Sequence, residues 1–181
     1  MSGEPEYEPR QLSMTMRRDR LLRLSGTRVR EGYELRRCRA SDSDGIAGVL
    51  GASGFQGWTT ERVADFLAAP ERGEGSRIVA CGDRIVASTF ASWQELGRSG
   101  VLDYVACHPE HRGRGLGRAV CCGVLGFFAE RGYESVSLTT DDVRLPAIAL
   151  YLSLGFTPDM TRDDMPGRWE KIMGQLGTQS R

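Results

Sequence analysis

The chain lacks any apolar run near the roughly 18 residues that a membrane-spanning helix needs, so we expect no transmembrane segment. Lysine is almost absent: 24 basic residues balance 24 acidic ones, and Lys171 is the only lysine. A chain without net charge has no overall field to hold a nucleic acid or a membrane surface. Its 181 residues, 40% of them hydrophobic, predict one globular domain with one site.

Cysteine and histidine are also few. The five cysteines have no C-x-x-C spacing and no signal peptide precedes them, so we expect a reduced, cytoplasmic protein. The two histidines, His108 and His111, belong to no cluster with the spacing of metal ligands, so no metal site is predicted. No histidine is placed to activate a cysteine nucleophile, and Cys107, Cys121 and Cys122 are expected to be small buried side chains.

Residues 1–32 differ from the rest of the chain. They are polar, show no sustained helical or strand period, and carry seven Arg and one acid between Arg10 and Arg30. We expect this basic extension to be solvated or partly disordered, with a partner-binding or nucleic-acid-binding arm as the alternative. Aromatic residues do not interleave with the arginines, which disfavours nucleic acid. Residues 33–175 form the predicted domain, and residues 176–181 a flexible tail.

Strand and helix patterns alternate through the predicted domain. Runs rich in β-branched residues on either side of residues 82–83 predict a β-hairpin. A helix starting at Thr59 or Thr60 is expected to end at Pro70, and the tail through Trp169 to return as a last strand. Strands that alternate with helices predict an α/β or α+β fold around a mixed sheet.

A strand predicted over residues 101–107 carries one acid. Strict alternation places Asp103 on the same face as Val101, Val105 and Cys107. A carboxylate among apolar neighbours calls for a specific role, either hydrogen-bonded and structural or in contact with a substrate.

The segment after this strand reads Arg-Gly-Arg-Gly-Leu-Gly-Arg, and an apolar helix follows it. N–H groups at a helix N-terminus have no intrahelical partner, and the helix dipole adds positive charge, so the segment predicts an anion site. Glycines let the backbone approach a diphosphate, and Arg112, Arg114 and Arg118 can pair with phosphate. A P-loop is excluded because no lysine follows the glycines, and a Rossmann loop belongs earlier in a chain.

Two segments resemble one known family, the GCN5-related N-acetyltransferases. Residues 105–117, V-A-C-H-P-E-H-R-G-R-G-L-G, are similar to the strand, Pro and (Arg/Gln)-x-x-Gly-x-(Gly/Ala) acyl-CoA loop of that family. Residues 147–156, A-I-A-L-Y-L-S-L-G-F, are similar to its later Ala-x-x-Leu-Tyr-x-x-x-Gly-Phe helix. The resemblance implies a mixed, mostly antiparallel sheet flanked by helices, with acyl-CoA bound at a splayed pair of central strands.

The resemblance also implies where the donor binds. The pantetheine arm of coenzyme A would pair with the strand at Val105, Ala106 and Cys107, and backbone amides of the loop would hold the pyrophosphate. The loop residues implied are Arg112, Gly113, Arg114, Gly115, Leu116, Gly117 and Arg118. Many family members have an Asn where this chain has Arg144, which we expect to pair with a phosphate, with an acidic substrate, or with solvent alone.

Tyr151 matches the general acid of the family, and a phenol with a pKa near ~10 can protonate a leaving thiolate. Asp103 is the candidate base or substrate anchor, because the acceptor ammonium must lose a proton before it attacks. A backbone N–H near Ala106 or Cys107 would stabilise the oxyanion.

The activity implied is transfer of an acetyl group from acetyl-CoA to a primary amine of a small molecule, without a metal. Alternatives are a peptide or protein acceptor, a longer acyl chain, including one delivered on a carrier protein, and a non-catalytic acyl-CoA-binding regulatory module. The acceptor is expected against the first two predicted helices, the loop at residues 55–58 and the C-terminal strands, with Trp58 and Trp93 as candidate lining residues. A homodimer is left open as a further partner.

Overall fold

The computed structural model describes residues 11–24, 26, 28–94 and 98–179. The described residues divide into two compact units, one within residues 16–138 and the other formed by residues 11–15 with residues 139–179. Within the described part of the chain, no helix combines the length and the apolar character needed to cross a membrane.

The larger unit is built on a mixed sheet. Its strands are β2 (Glu34–Arg37), β3 (Arg77–Cys81), β4 (Arg84–Gln94), β5 (Ser99–Cys107) and the first part of β6 (Ser135–Thr140). They pair in the order β2-β3-β4-β5-β6; every pair is antiparallel except β5 with β6, which is parallel. Its helices are α1 (Arg18–Leu21), α2 (Ser43–Ala52), α3 (Thr60–Leu67), α4 (Pro70–Gly75) and α5 (Leu116–Glu130).

Apolar residues of this sheet form a core on each face. On one face, Ile78 and Phe90 pack with Ile46 of α2 and Val63 of α3. On the other face, a second cluster joins the sheet to the start of α5 and consists of Val79, Val86, Ala87, Leu116, Ala119 and Val120. Ile78, Val79 and Ala80 of β3 alternate between the two clusters because successive side chains point to opposite faces. Val86 and Ala87 of β4 are consecutive and share one cluster, because β4 has one more residue than β3 between the pairs Val79–Ala87 and Ala80–Ile85.

The smaller unit pairs the start of β1 (Leu12–Arg17) antiparallel with β7 (Thr157–Pro158), so that Met14 lies opposite Pro158. It also contains α6 (Leu145–Leu154) and α7 (Met165–Gln179). Helix α7 is tied to the segment after β6, because Arg168 Nε lies 3.0 Å from Asp142 Oδ2.

The predicted hairpin and the predicted helix start at Thr59 are confirmed. Strands β3 and β4 pair around the turn at residues 82–83. Thr59 is the N-cap of α3, and its side-chain oxygen accepts a hydrogen bond from the Arg62 backbone N–H. The predicted end of this helix at Pro70 is wrong, because α3 already ends at Leu67. Pro70 instead lies in the first turn of α4, where a backbone N–H would have no intrahelical partner.

Two predictions about the ends of the chain are wrong. Residues 12–21 do not lack a regular element but form β1 and α1, because Leu12, Met14 and Met16 alternate with polar residues and are fully buried. Residues 1–10, 25 and 27 of the predicted extension lie outside the described residues. The tail through Trp169 forms α7 instead of a strand, since buried Met165, Trp169 and Ile172 recur at helical spacing.

The predicted alternation along β5 is also wrong. Phe90 pairs with Asp103 and Ser88 with Ala106, so β5 contains one more residue than β4 between these pairs, which is a β-bulge. Tyr104 lies in the bulge with a φ of 50°, a conformation that bulky residues rarely adopt. Asp103 therefore lies opposite Phe90 on the α2 and α3 face, whereas Val105 and Cys107 pack on the α5 face.

Candidate active site

Among the described residues, the end of β5 pairs with a strand on one side only. Its pairing with β6 ends at Val101 opposite Ser137, while β5 continues along β4 to Cys107. A short ladder of this kind is what a splayed pair of strands requires, because the β6 side of β5 beyond Val101 is then not taken by a strand in the described part of the chain. The Cys107 carbonyl oxygen already accepts hydrogen bonds from Ser53 Oγ at 3.2 Å and from Arg112 Nε at 3.3 Å.

Residues 112–118, which we call the glycine loop, lead from β5 into α5. Gly115 is the N-cap of α5 with a φ of 77°, and Gly113 has a φ of 72°, so both occupy the left-handed region that favours glycine. Arg112, Arg114 and Arg118 flank them, while Leu116 is buried in the core. The loop thus joins cationic side chains to the N-terminus of a 15-residue helix, which is a suitable site for a polyanion.

A short 3₁₀ turn, Pro109–His111, precedes the glycine loop and is held by side chains from distant segments. Arg84 donates to His108 Nε2 at 2.7 Å and to Glu110 Oε2 at 3.2 Å. The hydroxyl of Tyr33 lies 3.0 Å from His111 Nδ1 and also contacts Arg114. The sequence does not predict these contacts, since 78 residues separate Tyr33 from His111 and no motif connects them.

The same turn brings His108, Glu110 and His111 together, with ligand-type atoms within 4.8 Å of one another. The sequence predicts no such cluster, because the spacing matches no common metal motif. The surroundings suit a cation poorly: Arg84 is hydrogen-bonded to His108 and Arg114 contacts the hydroxyl that faces His111. The observed contacts instead give the cluster a role in holding the turn.

Asp103 lies on the face of the sheet that carries an aromatic cluster. The cluster consists of Phe55, Trp58, Phe66, Phe90 and Tyr104, with ring centroids of its contacting pairs 4.6–6.2 Å apart. Burial raises the pKa of Asp103, and the neighbouring Ser92 hydroxyl and Arg72 guanidinium only partly oppose this rise. A carboxylate with a raised pKa binds a proton more readily than a solvated one, which suits a general base.

Of the two tryptophans named from the sequence, Trp58 lies on this side of the sheet, whereas Trp93 lies opposite Gly100 in the ladder, on the face that packs against Phe128 of α5. Trp58 belongs to the aromatic cluster, and the Arg62 guanidinium stacks 4.5 Å from its ring centroid. Trp93 lies 5.6 Å from the guanidinium of Arg72, which also covers Phe66 at 4.2 Å. Both tryptophans are half-buried.

Tyr151 and Arg144 belong to the smaller unit. Tyr151 is buried on α6, and its ring meets Phe156 edge-on with centroids 6.1 Å apart. Gly155, with a φ of 99°, ends α6 and turns the chain so that Phe156 can make this contact. Arg144 is the residue before α6, and its Nε lies 3.0 Å from Asp141 Oδ2.

The cysteines named from the sequence are not activated as nucleophiles. Cys121 and Cys122 are buried on α5, and burial raises the pKa of Cys121 well above its ordinary value. Burial also raises the pKa of Cys107, although Arg112 and Arg114 oppose the shift. The thiol forms of Cys107 and Cys121 are therefore favoured, as expected for small packing residues.

Comparison with known proteins identifies the class first. The solved structure of a GCN5-related N-acetyltransferase from Sphaerobacter thermophilus superposes with a TM-score of 0.66 at 22% identity, covering 82% of this chain and 48% of that one. The mixed α/β fold with a mostly antiparallel sheet is thus that of the N-acetyltransferases. Residues 43–156, more than half of the chain, match the model of the Acetyltransferase (GNAT) family, and the chain belongs to that family. Its members use acetyl-CoA.

Curated relatives match shorter stretches. The chain is 32% identical over 90 residues to N-acetyltransferase 8B of Rattus norvegicus, an overlap of 48% of this chain and 40% of that protein. It is 43% identical over 61 residues to mycothiol acetyltransferase of Thermobispora bispora, an overlap of 34% of this chain and 21% of that protein. The chain therefore spans less than half the length of these curated relatives.

Proposed function

We propose that the chain transfers an acetyl group from acetyl-CoA to a primary amine of a small molecule. The observation that carries the proposal is the glycine loop, where Gly113 and Gly115 at positive φ expose an arginine-flanked helix N-terminus at the end of β5. Two phosphate groups of coenzyme A would bind there through backbone N–H groups and arginine side chains. The family's use of acetyl-CoA supports the same donor.

The reaction moves three protons: the acceptor nitrogen loses one before attack and a second as the amide forms, and the departing sulfur takes up one, so that one proton is released overall. The amine nitrogen attacks the thioester carbonyl carbon, the C–S bond breaks, and the new C–N bond becomes the amide. We assign the proton that the sulfur takes up to Tyr151, the position that matches the family's acid. The acceptor ammonium must lose a proton before attack, and Asp103 is the candidate base because burial raises its pKa.

The oxyanion that forms on the thioester carbonyl needs a donor. A backbone N–H near Ala106 or Cys107 is the candidate, since β5 pairs with β6 only as far as Val101. We place the acceptor beside the aromatic cluster, on the face of the sheet that carries Asp103. Arg144 is assigned to a phosphate or an acidic group of the substrate only as a secondary contact, because it already pairs with Asp141.

The test is a thiol-release assay with acetyl-CoA and a panel of primary amines, amino acids, aminoglycosides, polyamines and short peptides. We expect turnover with at least one small amine and none when the amine is omitted. Turnover with peptides alone would replace the small-molecule assignment by a peptide acceptor, and a preference for longer acyl-CoA donors would replace acetyl.

Binding of coenzyme A is measured separately, as a rise in melting temperature with ligand concentration. A rise in melting temperature without turnover on any amine would favour a non-catalytic acyl-CoA-binding module. No rise would contradict the donor assignment itself. A cytoplasmic location and a homodimer stay predictions from the sequence.

A further inference from the structure

One hydrogen-bonded network reaches the glycine loop from outside it. Arg114, between the two positive-φ glycines, donates through Nη1 to the hydroxyl oxygen of Tyr33. The same hydroxyl lies 3.0 Å from His111 Nδ1, and the Tyr33 ring meets His111 edge-on with centroids 5.8 Å apart. Tyr33 precedes β2, so the network ties the glycine loop to a segment about 80 residues earlier in the chain.

The chemistry of the three groups fixes the direction of the hydrogen bonds. A guanidinium can only donate, so the Tyr33 oxygen accepts from Arg114. The hydroxyl proton is then available to His111 Nδ1, which accepts it when the imidazole is neutral with its proton on Nε2. Burial, Arg114, Arg84 and His108 lower the pKa of His111, against a smaller opposing effect of Glu110, and this favours the neutral ring.

Tyr33 is itself held in place. Its ring packs against the apolar cluster that joins the sheet to the start of α5, and its backbone N–H donates to the Arg30 carbonyl at 3.1 Å. The next residue begins β2, where Glu34 pairs with Ala80 of β3. The position of the Tyr33 hydroxyl is thus fixed by the sheet. Arg114 lies between Gly113 and Gly115, which have no side chains that could restrain it.

We propose that Tyr33 is a positioning residue for coenzyme A binding, which orients Arg114 toward the phosphates. A free arginine side chain loses rotamer freedom when it binds a phosphate, and prior ordering removes part of that cost. The guanidinium has five N–H donors and gives one to Tyr33, which leaves the others for phosphate oxygens. This proposal rests on the proposed function, since the glycine loop must bind coenzyme A.

The experiment measures the affinity for coenzyme A by titration calorimetry and the kinetic constants for acetyl-CoA with the best amine. For Tyr33→Phe we expect the dissociation constant and the KM for acetyl-CoA to rise roughly 3- to 10-fold, the net effect of one typical hydrogen bond. The kcat should stay within about twofold, because no reacting atom is touched. Tyr133→Phe is the matched control, since it removes a hydroxyl that bonds Glu71 away from the glycine loop.

A double-mutant cycle separates positioning from a general effect on the fold. In an Arg114→Ala background, Tyr33→Phe should change the affinity less than about twofold, because the side chain it orients is gone. Equal effects in both backgrounds, or an unchanged affinity in Tyr33→Phe, would overturn the role of Tyr33. Failure of the wild-type chain to bind coenzyme A would instead refute the proposed function, so the two failures are distinct.

Discussion

Asp103 and Tyr104 are consecutive residues of β5, yet both lie on the face of the sheet that carries the aromatic cluster. Asp103 is opposite Phe90 in the pairing of β5 with β4. The ring centroid of Tyr104 lies 4.8 Å from that of Trp58 and 6.2 Å from that of Phe90. The bulge makes this possible, because two residues of β5 there oppose one of β4. A carboxyl group and an aromatic ring are thereby placed side by side at the proposed acceptor position.

Replacing Asp103 by Asn should lower kcat with the best amine about 10²-fold or more, as loss of a general base does. Its raised pKa gives the wild-type rate a rising limb with increasing pH, centred above the ordinary pKa of an aspartate. The measurement is kcat/KM for the amine against pH. If kcat/KM of Asp103→Asn rises with pH as it does in the wild type, the rise belongs to another group and not to Asp103.

The carboxyl group of Asp103 should make the rate rise with pH but the stability of the fold decrease with pH. Burial disfavours ionised Asp103 in the folded chain, so the free energy of unfolding should fall as pH rises from the ordinary aspartate pKa through the raised one. Asp103→Asn should remove this dependence. Urea unfolding of both proteins between about pH 3 and 7 measures it, and parallel curves for the two would show that burial does not raise the pKa of Asp103.

Replacing Tyr151 by Phe tests the proposed acid. The ring contact with Phe156 does not involve the hydroxyl, so we expect the fold to tolerate the change. Loss of proton donation to the leaving thiolate should reduce kcat by about 10²-fold, with little effect on coenzyme A affinity. Tyr133→Phe serves as the control. Unchanged turnover in Tyr151→Phe would remove the acid assignment.

Replacing Asp42 by Asn tests a structural ion pair. Asp42 is 7% exposed and accepts hydrogen bonds from both terminal nitrogens of Arg36, at 2.7 and 2.8 Å. Burial opposes ionisation of Asp42, but the hydrogen bonds from Arg36 and from the Arg39 backbone N–H outweigh it and lower the pKa. We expect Asp42→Asn to reduce the free energy of unfolding by about 2 kcal/mol at neutral pH.

The stabilisation by Asp42 should be present above the ordinary aspartate pKa and be lost as pH falls through the lowered value. Asp44→Asn is the control, because Asp44 is exposed in the first turn of α2, the helix that begins directly after Asp42. Denaturant unfolding at neutral pH and at a pH near the lowered pKa measures the free energy of unfolding of each variant under both conditions. An equal loss in the two variants would show that the pair with Arg36 adds nothing specific.

Replacing Gly115 by Ala tests the backbone of the glycine loop. A Cβ there meets no atom within 4 Å, but the φ of 77° is strained for alanine and should cost about 1 kcal/mol. Coenzyme A affinity should fall as well, since the loop would relax away from the geometry that exposes its N–H groups. Gly126→Ala in the same helix α5, also in open space, should be neutral or stabilising in thermal melts.

The sequence predicts the elements whose signals are local. The hairpin at residues 82–83, the cap at Thr59 and the glycine loop follow from short patterns that each favour one conformation. Strand β1 is not predicted because three apolar residues that alternate with Ser13, Thr15 and Arg17 are a weak pattern, and only pairing with β7 and burial make it a strand. The predicted strand in the tail is wrong because Met165, Trp169 and Ile172 recur at the spacing of a helix.

The site is only partly predictable for the same reason. A positive φ at Tyr104 carries no sequence signal, since glycine or asparagine would be expected there, so neither the bulge nor the face of Asp103 follows from the sequence. The network of Tyr33, His111 and Arg114 depends on contacts between distant segments, which no local pattern encodes. Residue roles in the reaction stay predictions until the variants above are measured.

The extra residue in β5 determines which face of the sheet each later side chain of this strand points to. Upstream of Tyr104, odd-numbered residues face α2 and α3; downstream, even-numbered residues do, as the positions of Asp103 and Ala106 show. Strict alternation through Tyr104, without the bulge, would instead turn Val105 and Cys107 to the face of Asp103, away from α5. The bulge, and not only the residue types of β5, thus determines which side chains face the proposed acceptor position.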